Sequence, residues 1–193
     1  MDVALNILIK PAEITDIPGI LTIVEQNLIR NKQQHDLAQL AMGGFLVNPI
    51  TSAELTTAIL HPELNIILIA KQNIEIMGYT AGHALELWRK QDIHWDSHVR
   101  VSPQIQKILT TEKILYHRHI ARKINTKGIG LKLMQILLEQ AKTRQYRYIV
   151  CKIVHHPWHN AVSIKFHEQL GFFLAGTGNE ENFDFGLYLK KLS

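Results

Sequence analysis

Between Asn125 and Met134 the chain reads Asn-Thr-Lys-Gly-Ile-Gly-Leu-Lys-Leu-Met, and this stretch restricts the fold more than any other. The residues before it, Ile114 to Ile124, have strand character. Those after it place Leu133, Met134, Leu137, Leu138 and Ala141 on one face of a helix running from about Gly128 to Thr143. Two glycines at a strand-to-helix junction allow positive φ and close backbone approach. Successive N–H groups can then converge on an anion at the positive end of the helix. Lys127 and Lys132 add charge. A Gly-x-Gly before a helix is also how an ordinary glycine-containing helix start reads, so the rest of the chain has to decide.

A second motif does so. Asn160-Ala161-Val162-Ser163-Ile164-Lys165-Phe166-His167-Glu168-Gln169-Leu170-Gly171-Phe172 reads as an Asn-capped helix, with Val162, Phe166 and Leu170 aligned, ended by Gly171 and followed by an apolar strand. The two motifs, in this order and at this spacing, resemble the GNAT superfamily of acyl-CoA-dependent N-acetyltransferases. The resemblance runs over roughly residues 7 to 190, with most of its specificity in the second half. It implies an α/β (α+β) fold, a mixed, mostly antiparallel central sheet flanked by helices, in a single domain over residues 1–193.

Length and composition fit that expectation. A chain of 193 residues with 46% hydrophobic residues can build one substantial core, and two domains would be crowded. No basic start leads into a long apolar run and no uninterrupted apolar stretch could span a bilayer, so a soluble, cytoplasmic protein without membrane contact is expected. The single cysteine, Cys151, lies in the apolar run Tyr148 to Val154 and reads as a packing residue. The net charge is +4, with basic residues spread along the chain. This argues against a nucleic-acid partner and suits an anionic cofactor, with Arg118, Arg122, Lys123, Lys127 and Lys132 clustered around the glycine loop.

Strands and helices alternate along the chain. Ile7 to Lys10 reads as a first strand, Thr15-Asp16-Ile17-Pro18 as a helix start and Thr51 to Leu60 as a second helix stopped by Pro62. Asn65 to Lys71 and Glu75 to His83 read as an antiparallel pair turning at Gln72-Asn73. Gly78 and Gly82 mark either a bulge, a close backbone approach or tolerated surface glycines. Tyr148 to Val154 reads as a central strand, and Phe172 to Ala175 with Phe183 to Leu189 as a closing hairpin. Residues 84–113, with Trp88, His94, Trp95 and His98, form an insertion in which only Pro103 to Leu109 suggests a helix.

The resemblance also implies chemistry: direct transfer of an acetyl group from acetyl-CoA, as cosubstrate, to a primary amine on a small molecule, peptide or protein. Backbone N–H groups of Thr126, Lys127, Gly128, Ile129, Gly130 and Leu131 would hold the pyrophosphate next to Asn125, and Ile120 and Arg122 would pair with the pantetheine arm like an added strand. The family usually has Gln or Arg where Asn125 stands, so a side-chain contact there is weakened while the backbone cradle remains. Asn160 matches an asparagine that bonds the cofactor arm or an ordered water, and equally reads as a helix cap. His167 occupies the place of a tyrosine that protonates the leaving thiolate in many members. The usual strand glutamate is replaced by Ile114, which leaves Glu86, Glu112, His117 and His119 as candidate bases. The insertion would lie beside the acceptor. His155-His156-Pro157-Trp158-His159 reads as a strand-end loop, and no metal site is expected. Alternatives are a non-catalytic acyl-CoA-binding regulator and an acetyltransferase acting on protein N-termini or aminoacyl-tRNA. A homodimer is compatible with all of these.

Overall fold

The computed structural model describes residues 7–29, 44–92, 95–124, 126–180 and 182–192. Within these, β1 (Leu8–Pro11), β2 (Asn65–Gln72), β3 (Glu75–Ala84), β4 (Val99–Val101), β5 (Ile114–Arg122), β6 (Tyr148–His156), β7 (Phe173–Glu180) and β8 (Phe183–Lys191) form one sheet. Its order is β1-β2-β3-β5-β6-β8-β7-β4. Every neighbouring pair is antiparallel except β5 and β6. The helices are α1 (Ile17–Asn27), α2 (Ser52–Leu60), α3 (Leu85–Gln91), α4 (Trp95–His98), α5 (Pro103–Thr111), α6 (Ile129–Thr143) and α7 (Ala161–Gln169).

Strand alternation sorts the core into two faces. On β2, Ile66, Leu68 and Ala70 pack with Leu133, Met134 and Leu137 of α6, while Ile67 and Ile69 pack with Ile20 and Ile23 of α1 and Leu55 of α2. A strand covered on both sides has to be apolar throughout, which is why Asn65–Gln72 reads as a nearly continuous isoleucine-leucine run. The hairpin from β2 to β3 turns through Asn73, whose φ of 54° is one that asparagine tolerates. Helix α2 starts on a reciprocal cap, Thr51 Oγ1 accepting from Glu54 N at 3.2 Å and the Glu54 carboxylate accepting from Thr51 N at 2.7 Å.

The insertion is structured. Helices α3, α4 and α5 bring Leu85, Trp95 and Leu109 onto Ile114 and Tyr116 of β5, Val150 of β6 and Leu187 and Leu189 of β8. They cover the sheet face that α1 and α2 are too far along the sheet to reach. Strand β4 then pairs antiparallel with β7 and ends the sheet. The expected helix at Pro103 to Leu109 is α5, begun by Ser102 accepting from Ile105 N and by Pro103 in its first turn. The closing hairpin is longer than its apolar pattern suggested, because β7 runs on to Glu180 through polar positions that pair with β8.

Gly78 and Gly82 are buried, so neither is a surface glycine. A Cβ built on Gly78 would lie 2.8 Å from Ile129 Cγ2, 3.0 Å from the Ala121 carbonyl oxygen and 3.3 Å from Leu133 Cδ1. The missing side chain lets the first turn of α6 sit against β3. Gly78→Ala is expected to destabilise the protein by about 1–3 kcal/mol through overpacking, read as a lower urea midpoint with unchanged slope. An unchanged midpoint would mean that α6 can retreat without loss.

Candidate active site

Strands β5 and β6 pair only from Ile114 with Tyr148 to Tyr116 with Val150. Beyond this, β5 stays with β3 as far as Arg122 and β6 stays with β8, so the sheet opens into a wedge. A cavity of about 620 Å³ fills the wedge, and a groove of about 310 Å³ runs from it towards α6. Phe45, Leu46, Ile120 and Ser163 line both, so the two spaces meet at Ile120 on β5 and Ser163 on α7.

The groove is walled by Ile120, Ala121 and Arg122 of β5, by Gly128, Gly130 and Leu131, and by Val162 and Phe166 of α7. Gly128 is the N-cap of α6 with φ 76°, and no side chain caps this end. The N–H groups of the first turn have no acceptor within the helix, and the helix dipole adds positive potential where they emerge. Thr126 is fixed by Oγ1 donating to the Lys123 carbonyl at 2.6 Å and by its own carbonyl accepting from Arg122 Nη1. Lys127 and Lys132 flank this end. Arg118 does not belong to the group: its guanidinium bonds Glu54 and the Pro49 carbonyl and lies 4.6 Å from the Trp88 ring centre.

The cavity is aromatic and carries a half-buried charge cluster. Tyr116 packs against Trp88 at 5.0 Å and edge-on to Trp95 at 5.5 Å. Lys152 Nζ lies 3.2 Å from Asp92 and 2.5 Å from Glu180, and 4.1 Å from the ring centre of Trp95. Between this cluster and α7 stand the histidines. A register shift after Ala81 leaves Arg118 as an extra residue on β5, so His117 and His119 turn to different neighbours although they are two apart. His119 Nδ1 is 3.0 Å from Tyr79 Oη, whereas His117 Nδ1 is 3.3 Å from His167 Nε2 and His117 Nε2 is 3.0 Å from Thr80 Oγ1. Burial holds His117 and His119 well below the ordinary imidazole range and pulls His167 down to about 4. Burial likewise pushes the Cys151 thiol up.

The expected site residues therefore fall into three groups. Ile120, Arg122, Gly128, Gly130 and Leu131 line the groove, with Thr126, Lys127 and Ile129 beside them in the same loop and helix start. Asn125 lies outside the described residues. Asn160 and His167 line the cavity. Asn160 is a helix cap, accepting from Ser163 N at 3.3 Å, while its amide donates to the Phe45 carbonyl at 3.1 Å. His167 donates Nδ1–H to the Ser163 carbonyl at 2.7 Å, so this ring proton is already committed.

Glu86 and Glu112 are not brought to the wedge. Glu86 sits on the exposed side of α3 and Glu112 is the exposed C-cap of α5, and neither lines the cavity. The carboxylates that do line it are Asp92 and Glu180. Sequence reading passed over them because they become neighbours only through Lys152. The two tryptophans also separate: Trp88 lines the cavity, while Trp95 is buried at 2% exposure and does not.

Residues 115–172 match the model of the Acetyltransferase (GNAT) family. The resemblance to that superfamily is therefore shown over the segment that builds both walls of the wedge. Many solved structures share the fold. An N-acetyltransferase from Staphylococcus aureus Mu50 is 22% identical, with a TM-score of 0.63, over 97% of this chain and 99% of that one. The structure of yncA from Salmonella typhimurium with its cofactor acetyl-CoA is 18% identical, with a TM-score of 0.61, over 97% and 95%. A ribosomal-protein-alanine N-acetyltransferase from Brucella melitensis is 18% identical, with a TM-score of 0.61, over 96% and 99%. No curated protein matches in sequence. No described helix is long and apolar enough to cross a membrane.

His83 packs on the cavity tryptophan Trp88 at 5.8 Å. Its Nδ1 donates to Asn65 Oδ1 at 2.7 Å, and burial, helped by the charge of Arg118, pulls its pKa down to about 4. In the unfolded chain an imidazole titrates near ~6.5, so on acidification the unfolded state takes up the proton first. The stability carried by neutral His83 is complete above about pH 6.5 and is lost as the pH falls towards 4. Urea midpoints are expected to fall through this window, and His83→Gln should flatten the fall by up to ~1.4 kcal/mol per pH unit. Equal slopes in the two proteins would show that His83 does not titrate there.

Proposed function

We propose that this protein is an N-acetyltransferase that uses acetyl-CoA as cosubstrate and a primary amine as acceptor. The observation that carries the reading is the junction of groove and cavity at Ile120 and Ser163, where the paired strands part. The match of residues 115–172 to the family and the bound acetyl-CoA of the Salmonella typhimurium structure support the cosubstrate.

In this reading the uncapped start of α6 receives the pyrophosphate. Ile120 and Arg122 offer their backbone to the amide-bearing arm, and the thioester reaches the wedge beside Ser163 and Asn160. The amine enters the cavity from the side of α3 and the β7–β8 hairpin and attacks the thioester carbonyl carbon. The carbon–sulfur bond breaks, and CoA leaves as the thiolate. His167 stands close to where the sulfur departs. Its pKa of about 4 and its committed N–H make it a poor direct donor at neutral pH. It serves better by fixing α7 against β5, with the thiolate taking its proton from water or from the attacking nitrogen, which must lose one as the amide forms. Asp92 and Glu180 attract a cationic acceptor, and Trp88 and Tyr116 stack its body.

Two measurements test this. Acetyl-CoA and CoA should each raise the thermal midpoint of the wild type, and Gly128→Val should abolish the shift. A Cβ at Gly128 meets nothing within 4 Å, so the change acts through its φ of 76°, which a β-branched residue rejects. Equal shifts in both proteins would remove the cradle. In a screen of amines, amino acids and peptides for free-thiol release, Trp88→Ala should raise the acceptor KM several-fold and leave cofactor affinity unchanged. Trp95→Ala should instead lower stability by about 3–5 kcal/mol. CoA binding without thiol release from any amine would favour a non-catalytic acyl-CoA sensor.

A further inference from the structure

The floor of the cavity holds three buried side chains to which acetyl transfer gives no chemical role, namely His117 on β5, Cys151 on β6 and His167 on α7. One ligand-type atom from each lies within 4.8 Å of the other two. The residues are 34 and 16 positions apart, and the splayed strands with α7 across their opening bring them together.

The surrounding hydrogen bonds aim them. A carbonyl oxygen only accepts, so the 2.7 Å contact with Ser163 fixes the proton of His167 on Nδ1 and leaves Nε2 with a bare lone pair. Thr80 Oγ1 stands 3.0 Å from the His119 carbonyl, to which its single proton is donated, and 3.0 Å from His117 Nε2. With the hydroxyl proton spent on the carbonyl, His117 donates from Nε2 and its Nδ1 is bare as well. The two bare nitrogens then face each other at 3.3 Å, an arrangement that repels unless a cation lies between them. Two nitrogens each about 2.0–2.1 Å from a tetrahedral ion are separated by about 3.3 Å. Each histidine also has its other nitrogen bonded to a fixed oxygen, the usual support of a metal-bound imidazole.

We infer that His117, Cys151 and His167 form a binding site for one thiophilic divalent cation, zinc by ligand type, with the fourth coordination position open to the cavity. Binding forms two nitrogen–metal bonds from neutral rings and one sulfur–metal bond. The Cys151 thiol releases one proton to solvent, and the oxidation state of the metal does not change. Closing Sγ to about 2.3 Å from the ion is a side-chain movement. The inference is independent of the acceptor and of acetyl transfer.

Cobalt(II) added to the purified protein is the probe. Because Cys151 is the only cysteine, a thiolate-to-cobalt charge-transfer band can come from no other residue, and the visible bands report tetrahedral coordination. The expected result is one Co²⁺ per chain with both features, displaced by Zn²⁺. Cys151→Ala should lose the charge-transfer band while keeping its thermal midpoint close to that of the wild type. Thr80→Val, which removes the support of His117 together with the hydrogen bond to the His119 carbonyl, should weaken Co²⁺ binding about 10–100-fold with the band retained at saturation. Wild-type protein that shows no thiolate band in excess Co²⁺ would overturn the site. So would binding unaffected by Cys151→Ala, which would place the ion on His155, His156 and His159. Either result would leave a simple His117–His167 hydrogen bond, with Thr80 donating to His117.

Discussion

The structure depends on two parallel strands that pair for three residues and then part. Backbone N–H and C=O groups that leave a ladder inside a protein need other partners, and each strand keeps one through its outer neighbour, β3 for β5 and β8 for β6. The facing edges are left over. An extended ligand that carries amides can add itself to such an edge as a strand would, with main-chain bonds giving affinity and the lining side chains giving selectivity. The opening is held from both faces, by α6 packed on Gly78 from one side and by the α3–α5 layer with Trp95 from the other. Neither half of the sheet can swing in to close the wedge without unpacking a helix layer.

The elements around the wedge were legible because each rests on a local signal. The period of Leu133, Met134, Leu137 and Ala141 against the strand alternation of Asn65–Gln72 separates helix from strand, and the glycine at the start of α6 and the asparagine at the start of α7 mark the helix ends. The groove residues were readable for the same reason, being contiguous from Ile120 to Leu131. Apart from the helix at Pro103 to Leu109, residues 84–113 were not. Their helices are short, and what holds them is the uncovered face of a sheet whose other strands lie up to about a hundred residues later in the chain.

Side-chain direction on β5 was illegible for a different reason. Strict alternation would point His117 and His119 to one face. The extra residue at Arg118 breaks the alternation, sending His119 to Tyr79 and His117 to His167, and it takes Arg118 away from the start of α6 to stack on Trp88. A bulge has no reliable sequence mark when the extra residue is neither glycine nor proline. The placement of the carboxylates was hidden in the same way: Glu86 and Glu112 occupy exposed helix positions away from the cavity, while Asp92 and Glu180 come from segments far apart and meet at Lys152.

That meeting bears on how an amine could react here. A nucleophilic amine must be neutral, and the groups that could take its proton are constrained. Asp92 and Glu180 are already engaged by Lys152, and the buried histidines are held well below the ordinary imidazole range. An ionic cluster of this kind costs too much to break for one of its carboxylates to act as a free base in each turnover. Its stronger effect is electrostatic: Lys152 shields the two acids from repelling each other, and their outer oxygens still draw a cation into the mouth of the cavity. In the proposed reaction, deprotonation is therefore assigned to the solvent-facing end of the cavity, before the amine reaches the buried histidines. The low-dielectric interior then favours the neutral amine over the ammonium, as it favours neutral imidazole over imidazolium in the residues that line it.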